Sequence, residues 1–193
     1  MSTTAAPMTV DEYFAVSTEG DRTELIGGEL VVNEPMPKHG VIQARLISRL
    51  QVWSEGAEGR GLVVTPADVI LGEHDLYAPD LLWIAERNRP DDLSQRLARV
   101  PDLCVEVRSP GTWRYDVGRK KAVYESGGLP ELWLVDDLAE TVLVFRRSSA
   151  DQTSFDMSLE LSSEEKLASP QLPGFSLSVA KLFETRFQRP PPS

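Results

Sequence analysis

Residues 103–108 constrain the fold of this chain more than any other segment, because they carry the alternating pattern of a half-buried β-strand. One face takes Leu103, Val105 and Val107, and the opposite face takes Cys104, Glu106 and Arg108. Pro110 and Gly111 follow closely and mark the end of the strand, and a helix is predicted after them. Glu106 therefore lies on a predicted strand that leads into a helix.

Further polar residues flank this strand on both sides. Pro79 and Asp80 precede a short apolar run, residues 81–84, which is typical of a second strand. The helix predicted after Gly111 carries three polar residues at intervals of four, which puts them on one face: Asp116, Lys120 and Tyr124. An acid before one strand, an acid on the next and a lysine on the following helix can meet at one edge of a sheet.

Two carboxylates and a lysine are the groups that a metal-dependent phosphodiesterase needs. Asp80 and Glu106 can hold Mg²⁺ through oxygen, since Mg²⁺ usually takes one or two carboxylates together with water and phosphate. The cation polarises the phosphoryl oxygen and activates water, while a lysine offsets the charge that develops. The same residues also have an ordinary structural interpretation: a turn aspartate, a solvent-facing glutamate and a surface ion pair between Asp116 and Lys120 that adds about 0.2–0.5 kcal/mol. Spacing alone leaves both interpretations open.

The order of these motifs resembles the Uma2 family of restriction endonucleases, which belongs to the PD-(D/E)XK nuclease superfamily. The resemblance rests on these segments in order: residues 24–30, 35–39, 79–80 and 106–110, then Asp116, Lys120 and Tyr124, then residues 127–136 and 172–175. It extends over most of the chain, from about Met8 to Phe183. No single segment is specific to the family, but the ordered series is.

The resemblance implies an α/β, restriction-endonuclease-like fold with a central mixed β-sheet flanked by helices. It implies that Mg²⁺, for which Mn²⁺ can substitute, is held by Asp80, Glu106 and the backbone carbonyl of Val107. Arg108 departs from the superfamily pattern, because it stands where a lysine is expected and an arginine cannot act as a base at working pH. The resemblance places that lysine on the helix as Lys120, the third catalytic residue beside the two acids.

Four further residues are expected to support this site: Glu24, Arg108, Asp116 and Tyr124, with Arg108 expected to contact phosphate. Asp116 and Tyr124 are expected to orient Lys120. Glu24 belongs to the family motif and either completes the acidic cluster or is a surface acid on a hairpin. His39 stands before a predicted helix, where a capping or structural role is favoured over metal ligation.

The formal net charge of −10 bears on the partner of this chain. It argues against strong non-specific binding to nucleic acid, whose protein partners are generally basic. A local basic patch around the site is still expected from Arg108, Arg114, Arg119, Lys120 and Lys121. Two functions remain: a Mg²⁺-dependent endonuclease that acts on DNA, or a non-catalytic module on the same fold that binds nucleic acid or a protein. A homodimer is expected by analogy with nucleases that cut two strands.

The length of 193 residues predicts a single domain, residues 1–193, with disordered ends at about 1–7 and 188–193. The single cysteine, Cys104, excludes an internal disulfide and fits a reducing cytosol, so a cytoplasmic location is expected. Its position in mid-strand favours a core residue over a nucleophile. The chain has no apolar stretch of membrane-spanning length, and its first residues lack the features of a signal peptide.

Local patterns predict the remaining elements. Gly27 and Gly28 predict the turn of a β-hairpin over residues 24–32, and Thr9 with Glu12 predicts a capping box at the start of a helix. Further along, we expect a helix over residues 39–53, a loop with a short helix at 86–100, a hairpin formed by 132–135 and 142–145, an edge strand at 157–161 and a short helix from 179.

Overall fold

A six-stranded mixed β-sheet forms the centre of the fold in the computed structural model, which describes residues 6–18, 21–97 and 99–184. Its strands, from one edge to the other, are β10 (Met157–Leu161), β9 (Thr141–Arg146), β8 (Glu131–Asp136), β7 (Leu103–Val107), β6 (Leu81–Ile84) and β3 (Leu62–Val64). Strands β7 and β8 run parallel, and the other neighbours are antiparallel. The predicted α/β fold with a central mixed sheet is confirmed.

A second sheet of four antiparallel strands packs against the first, and the sequence patterns did not predict it. Its strands, in spatial order, are β2 (Glu29–Val32), β1 (Thr23–Ile26), β5 (Asp75–Tyr77) and β4 (Val69–Gly72). Gly27 and Gly28 join β1 to β2 with φ angles of 63° and 77°, the conformation that a two-residue hairpin turn requires. The predicted hairpin is therefore confirmed, and an apolar cluster that includes Ile26, Tyr77 and Leu82 joins the two sheets.

Strand β7 is buried on both faces, which differs from the half-buried strand that its alternation predicts. Val105 and Val107 pack into the same cluster as Leu46 of the long helix described below. On the other face, Cys104 packs with Tyr124. Strands in the middle of a sheet that is covered on both sides lose their solvent face. Glu106, on the face shared with Cys104, is therefore an interior residue rather than a solvent-facing one.

The helices cover these sheets. They are α1 (Val10–Val16), α2 (Pro37–Glu55), α3 (Trp113–Tyr115), α4 (Lys121–Ser126) and α5 (Val179–Phe183), with a 3₁₀ turn at Glu86–Asn88 and a short pair of strands, β11 (Lys166–Leu167) and β12 (Leu177–Ser178). A π-helical segment, Asp116–Lys120, joins α3 to α4. The predicted capping box is confirmed, because Glu12 N–H donates to Thr9 Oγ1 at 3.2 Å and Thr9 N–H donates to Glu12 Oε2 at 2.8 Å.

The predicted disordered ends lie mostly outside the described residues, which leave out 1–5 and 185–193. At the start of the described chain, Met8 N–H donates to Gly28 O at 3.1 Å, so this segment is attached to the hairpin turn. In the part of the chain that the structure describes, no helix is both long enough and apolar enough to span a membrane.

The hairpin turn provides a test of this architecture. A Cβ atom at residue 27 would lie 2.6 Å from Cζ of Arg119, and its φ of +63° is strained for any residue with a side chain. We therefore expect Gly27→Ala to lower the free energy of unfolding by about 1–2 kcal/mol in urea denaturation.

Gly40→Ala is the matched control. A Cβ atom at residue 40 meets no heavy atom within 4 Å, and the residue lies inside α2, where alanine is favoured over glycine by up to about 1 kcal/mol. The control should be neutral or stabilising, and a Gly27→Ala protein as stable as the wild type would contradict the observed turn.

Candidate active site

The two predicted acids lie at adjacent strand ends. Strands β6 and β7 pair Leu81 with Val105, and one step further along the same register Asp80 stands opposite Glu106. Residues opposite each other in an antiparallel pair have Cβ atoms about 4.5–5.5 Å apart. Asp80 is fixed there by the backbone of β7, because Val107 N–H donates to its Oδ2 at 2.7 Å. The strand order therefore brings Asp80 and Glu106 together.

The ammonium of Lys120 lies among three carboxylates. Its Nζ is 2.8 Å from Glu106 Oε1, 2.9 Å from Glu24 Oε1 and 3.1 Å from Asp116 Oδ1. The lysine is only 1% exposed, and all three acids are buried as well. Of the two interpretations of Glu24, the structure matches the acidic cluster. We call Glu24, Glu106, Asp116 and Lys120 the buried cluster.

The helix after β7 delivers Asp116 and Lys120 through its π-helical segment. An i→i+5 segment widens the helix by one residue, and such segments occur frequently at functional sites. Asp116 and Lys120 then face the sheet, as their spacing of four predicts, while Arg119 faces outward and pairs with Asp75 at 2.9 Å. The neighbouring Lys121, which was expected in the basic patch, has its Nζ 4.6 Å from the ring centroid of Phe145.

Tyr124 contacts a different partner from the one expected. Its hydroxyl donates to Glu106 Oε1 at 2.8 Å, so it holds Glu106 rather than Lys120. Tyr124 is one helical turn beyond Lys120, which places it beside β7. Burial raises the pKa of its hydroxyl well above the ordinary value, which keeps the donor protonated. The lysine is held instead by its ion pairs with Glu106, Glu24 and Asp116.

Burial and charge act in opposite directions within the buried cluster. Burial raises the pKa of Glu106 well above its ordinary value and also raises the pKa of Asp116, while Lys120 opposes both shifts. Burial lowers the pKa of Lys120, but the carboxylates of Glu106, Glu24 and Asp116 outweigh it and hold that pKa well above the usual value. The lysine is therefore a stable cation. Three carboxylates surround one ammonium, and the raised pKa values of Glu106 and Asp116 mean that a further cation would bind them in competition with protons.

His39 has a clear structural partner. Its Nε2 lies 2.7 Å from Asp80 Oδ1, and its Nδ1 lies 3.3 Å from the carbonyl oxygen of Arg108. Burial of the ring lowers the pKa of His39, but the hydrogen bond to Asp80 and its charge raise that pKa by more. The net shift is therefore upward. Sequence reasoning favoured a structural role for His39 without identifying this contact.

Two further contacts to Asp80 had no signal in the sequence. Gln43 lies one turn after His39 in α2, and its Nε2 donates to the carbonyl oxygen of Asp80 at 2.8 Å. The Thr65 hydroxyl donates to the same carbonyl oxygen at 2.9 Å. Polar residues of these types are common on helix surfaces and in loops, so their sequence positions alone do not identify them. Together they fix the backbone that carries Asp80.

The expected local basic patch is reduced, because most of its charges are paired with carboxylates or lie over an aromatic ring. Arg108 pairs with Asp136 at 2.8 Å, and Arg119 pairs with Asp75. Lys120 is buried, and Lys121 lies over an aromatic ring. In so acidic a chain, most of these cations have carboxylates within reach. Arg114 is exposed, and its guanidinium donates to the Tyr115 hydroxyl.

The oxygen donors of Asp80 and Glu106 fit a hard divalent cation. Among the described residues, Glu106 Oε2 accepts no hydrogen bond, whereas Oε1 is already shared by Lys120 and Tyr124. Over residues 6–18, 21–97 and 99–184, no three His, Cys, Asp or Glu side chains are arranged as the ligands of one metal ion. Two carboxylates suffice for Mg²⁺, which retains several waters in protein sites. The donor chemistry suits this ion.

The buried cluster makes a prediction about stability. Replacing Lys120 with methionine leaves three buried carboxylates without their cation, and breaking a buried ion pair typically costs about 3–5 kcal/mol. We expect urea denaturation at neutral pH to show a loss of that size for Lys120→Met, and partial recovery when Glu24→Gln is added.

Lys121→Met is the control on the neighbouring position. It removes a cation over an aromatic ring, a contact worth about 0.5–1 kcal/mol at an exposed site. Equal effects at residues 120 and 121 would contradict the charge arrangement described above.

Comparisons with known proteins agree with this architecture. A family model described as "Uma2: Putative restriction endonuclease" matches residues 10–180. Among solved structures, the chain is similar to a crystal structure titled as a putative nuclease belonging to DUF820 from Anabaena variabilis ATCC 29413, with a TM-score of 0.76 and 21% identity. That match covers 92% of this chain and 98% of the other, and at this identity it shows the fold alone. No curated protein matches the chain. Because the family model covers most of its length, the chain belongs to the Uma2 family.

Proposed function

We propose that this protein is a Mg²⁺-dependent endonuclease that hydrolyses DNA phosphodiester bonds. The observation that carries the proposal is the meeting of Asp80 and Glu106 at adjacent strand ends, with the Lys120 ammonium 2.8 Å from Glu106. Membership of the Uma2 family supports a nucleic-acid substrate.

Asp80 and Glu106 hold the cation in this proposal, with the carbonyl of Val107 as a third oxygen donor. Val107 N–H already points to Asp80, and in a strand paired antiparallel the N–H and C=O of one residue point to the same neighbour. When bound there, Mg²⁺ supplies a Lewis acid that polarises the phosphoryl oxygen and activates water. Mn²⁺ is expected to substitute for it.

The remaining residues position these groups and balance charge. Lys120 supplies a fixed positive charge beside Glu106. That charge offsets the negative charge that develops on the phosphoryl group during phosphodiester hydrolysis. Tyr124 fixes the orientation of Glu106, and His39 fixes that of Asp80. Asp116 and Glu24 hold the lysine itself. Arg108 is bound to Asp136 and has at most a minor part in the reaction.

A non-catalytic module on the same fold is the second candidate function. It is favoured by the net charge of −10 and by the internal pairing of Arg108 and Arg119. Such a module binds a partner but does not hydrolyse DNA, so a cleavage assay separates the two functions.

Homodimerisation is part of the nuclease proposal, because cutting both strands of a duplex is simplest with two sites related by symmetry. A reducing compartment such as the cytoplasm suits the free, buried Cys104.

Nicking of supercoiled plasmid tests the nuclease proposal. We expect the wild-type protein to nick plasmid with Mg²⁺ or Mn²⁺ and to be inactive with EDTA. Asp80→Asn and Glu106→Gln should each lower the rate by at least about 100-fold, the upper end of what losing an outer-shell partner costs at metal sites.

Glu131→Gln is the matched control for these variants. Glu131 is also a buried acid, on the neighbouring strand β8, where it accepts hydrogen bonds from Trp133 and Ser169. It should change stability without changing the rate of the folded fraction. Absence of nicking by the wild type under every metal would favour the non-catalytic module, and full activity of Glu106→Gln would move the site elsewhere.

A further inference from the structure

A cavity of about 1070 Å³ opens beside Asp80 and Glu24, on one side of the buried cluster. Residues from α1, the start of α2 and the loops near β6 line it, among them Tyr13, Phe14, Arg22, Arg96 and Asp80. An unpaired strand needs less space than a duplex, whose major groove alone is ~12 Å wide. The cavity therefore suits one strand better than a continuous duplex.

Two arginines lie on the wall of the cavity, which also carries four acids. Arg22 and Arg96 are the two arginines of the lining, and neither makes a salt bridge with any residue that the structure describes. Arg108 and Arg119, by contrast, are both paired with aspartates. Among the described residues Arg114 makes no salt bridge either, but it does not line the cavity, so Arg22 and Arg96 are the unpaired arginines of the cavity wall.

Three of the four acids in the lining are already bonded within the protein. Glu24 binds Lys120 and Asp80 binds His39, while Asp21 accepts hydrogen bonds from the backbone N–H and the hydroxyl of Thr18. Burial raises the pKa of the fourth acid, Asp68, although the Arg96 guanidinium opposes that shift. The Thr18 contacts lower the pKa of Asp21 and keep it ionised, whereas Glu24 is paired with the Lys120 cation. Arg22 and Arg96 therefore provide the positive charge on a wall that also carries carboxylates.

Arg96 also provides a flat surface. Its Cζ lies 3.9 Å from the ring centroid of Phe14, which is the distance of a guanidinium stacked on an aromatic face. Guanidinium donors radiate in the plane of the group, so stacking leaves them free to bind a phosphate. Unpaired bases stack on aromatic rings and on arginine planes in single-strand binding sites. The wall around Arg96 and Phe14 therefore offers both phosphate contact and a stacking platform.

We propose that this cavity binds one unpaired DNA strand, with Arg22 and Arg96 on its backbone phosphates, and leads that strand to Asp80. The inference rests on the proposed function and refines its substrate to single-stranded or locally unpaired DNA rather than continuous duplex. It also accounts for an acidic protein acting on a polyanion, because only a short length of strand meets the protein, at a wall with two available cations.

Fluorescence anisotropy in EDTA tests the inference without requiring cleavage. The probes are a labelled oligothymidylate and a labelled duplex of the same length. We expect the wild type to bind the single strand more tightly than the duplex. For single strands, the dependence of log K on log salt has a slope of about −0.7 for each phosphate contact. Arg22→Gln and Arg96→Gln should therefore each weaken binding and reduce the magnitude of that slope by about 0.7.

Arg49→Gln is the control, because Arg49 is an exposed arginine of α2 that does not line the cavity. It removes the same charge and should leave the slope unchanged. Tighter binding of the duplex, or slopes that neither cavity variant changes, would overturn the inference. Binding of the oligothymidylate by the cavity arginines without cleavage of any DNA would support the cavity assignment and reject the nuclease. Cleavage of DNA together with salt slopes that neither cavity variant changes would support the nuclease and reject the cavity assignment.

Discussion

The rest of the structure depends on the ion-paired ammonium of Lys120. Its carboxylate partners come from the first hairpin, from the central strand β7 and from the helix itself, so one cation joins three elements that are far apart in the sequence. A buried lysine is tolerated only when it is paired, and buried carboxylates need a counter-charge in the same way. The cluster therefore requires the two sheets and the helix to meet at this point.

Local sequence patterns were sufficient to predict much of the fold. The alternation in β7, the paired glycines of the hairpin and the helical period of α2 depend on neighbours in the chain, and each element is present. The approach of Asp80 to Glu106 was also predictable. Two consecutive strands that pair along their length bring the residues at the start of one and the end of the other close together. The second sheet was not, since β1 pairs with β5 through Leu25 and Leu76, which are distant in sequence.

The details of the site depend on contacts that no local pattern encodes. Tyr124 has the right helical spacing to accompany Lys120, but its hydroxyl reaches Glu106 because β7 lies under that turn of the helix. The basic residues near the site appeared available until their acidic partners, Asp75 and Asp136, were placed by the sheets. Arg22 and Arg96 have no motif at all, and only the tertiary structure places them on the wall of one cavity. Identity and spacing of residues can therefore identify the acids and the lysine, but not which charges remain available.

We propose above all that Asp80 and Glu106 hold a divalent cation, and that Glu106 links this cation to the buried cluster. Calorimetric titration with Mn²⁺ measures this most directly, because it requires neither DNA nor cleavage. The comparison is between the wild type, the Asp80→Asn, Glu106→Gln double variant and the Glu131→Gln control, each first shown to be folded by circular dichroism. We expect the wild type and the control to bind Mn²⁺ with the same affinity and the double variant to lose binding. Equal affinity in all three proteins would contradict the claim and place any cation at other residues.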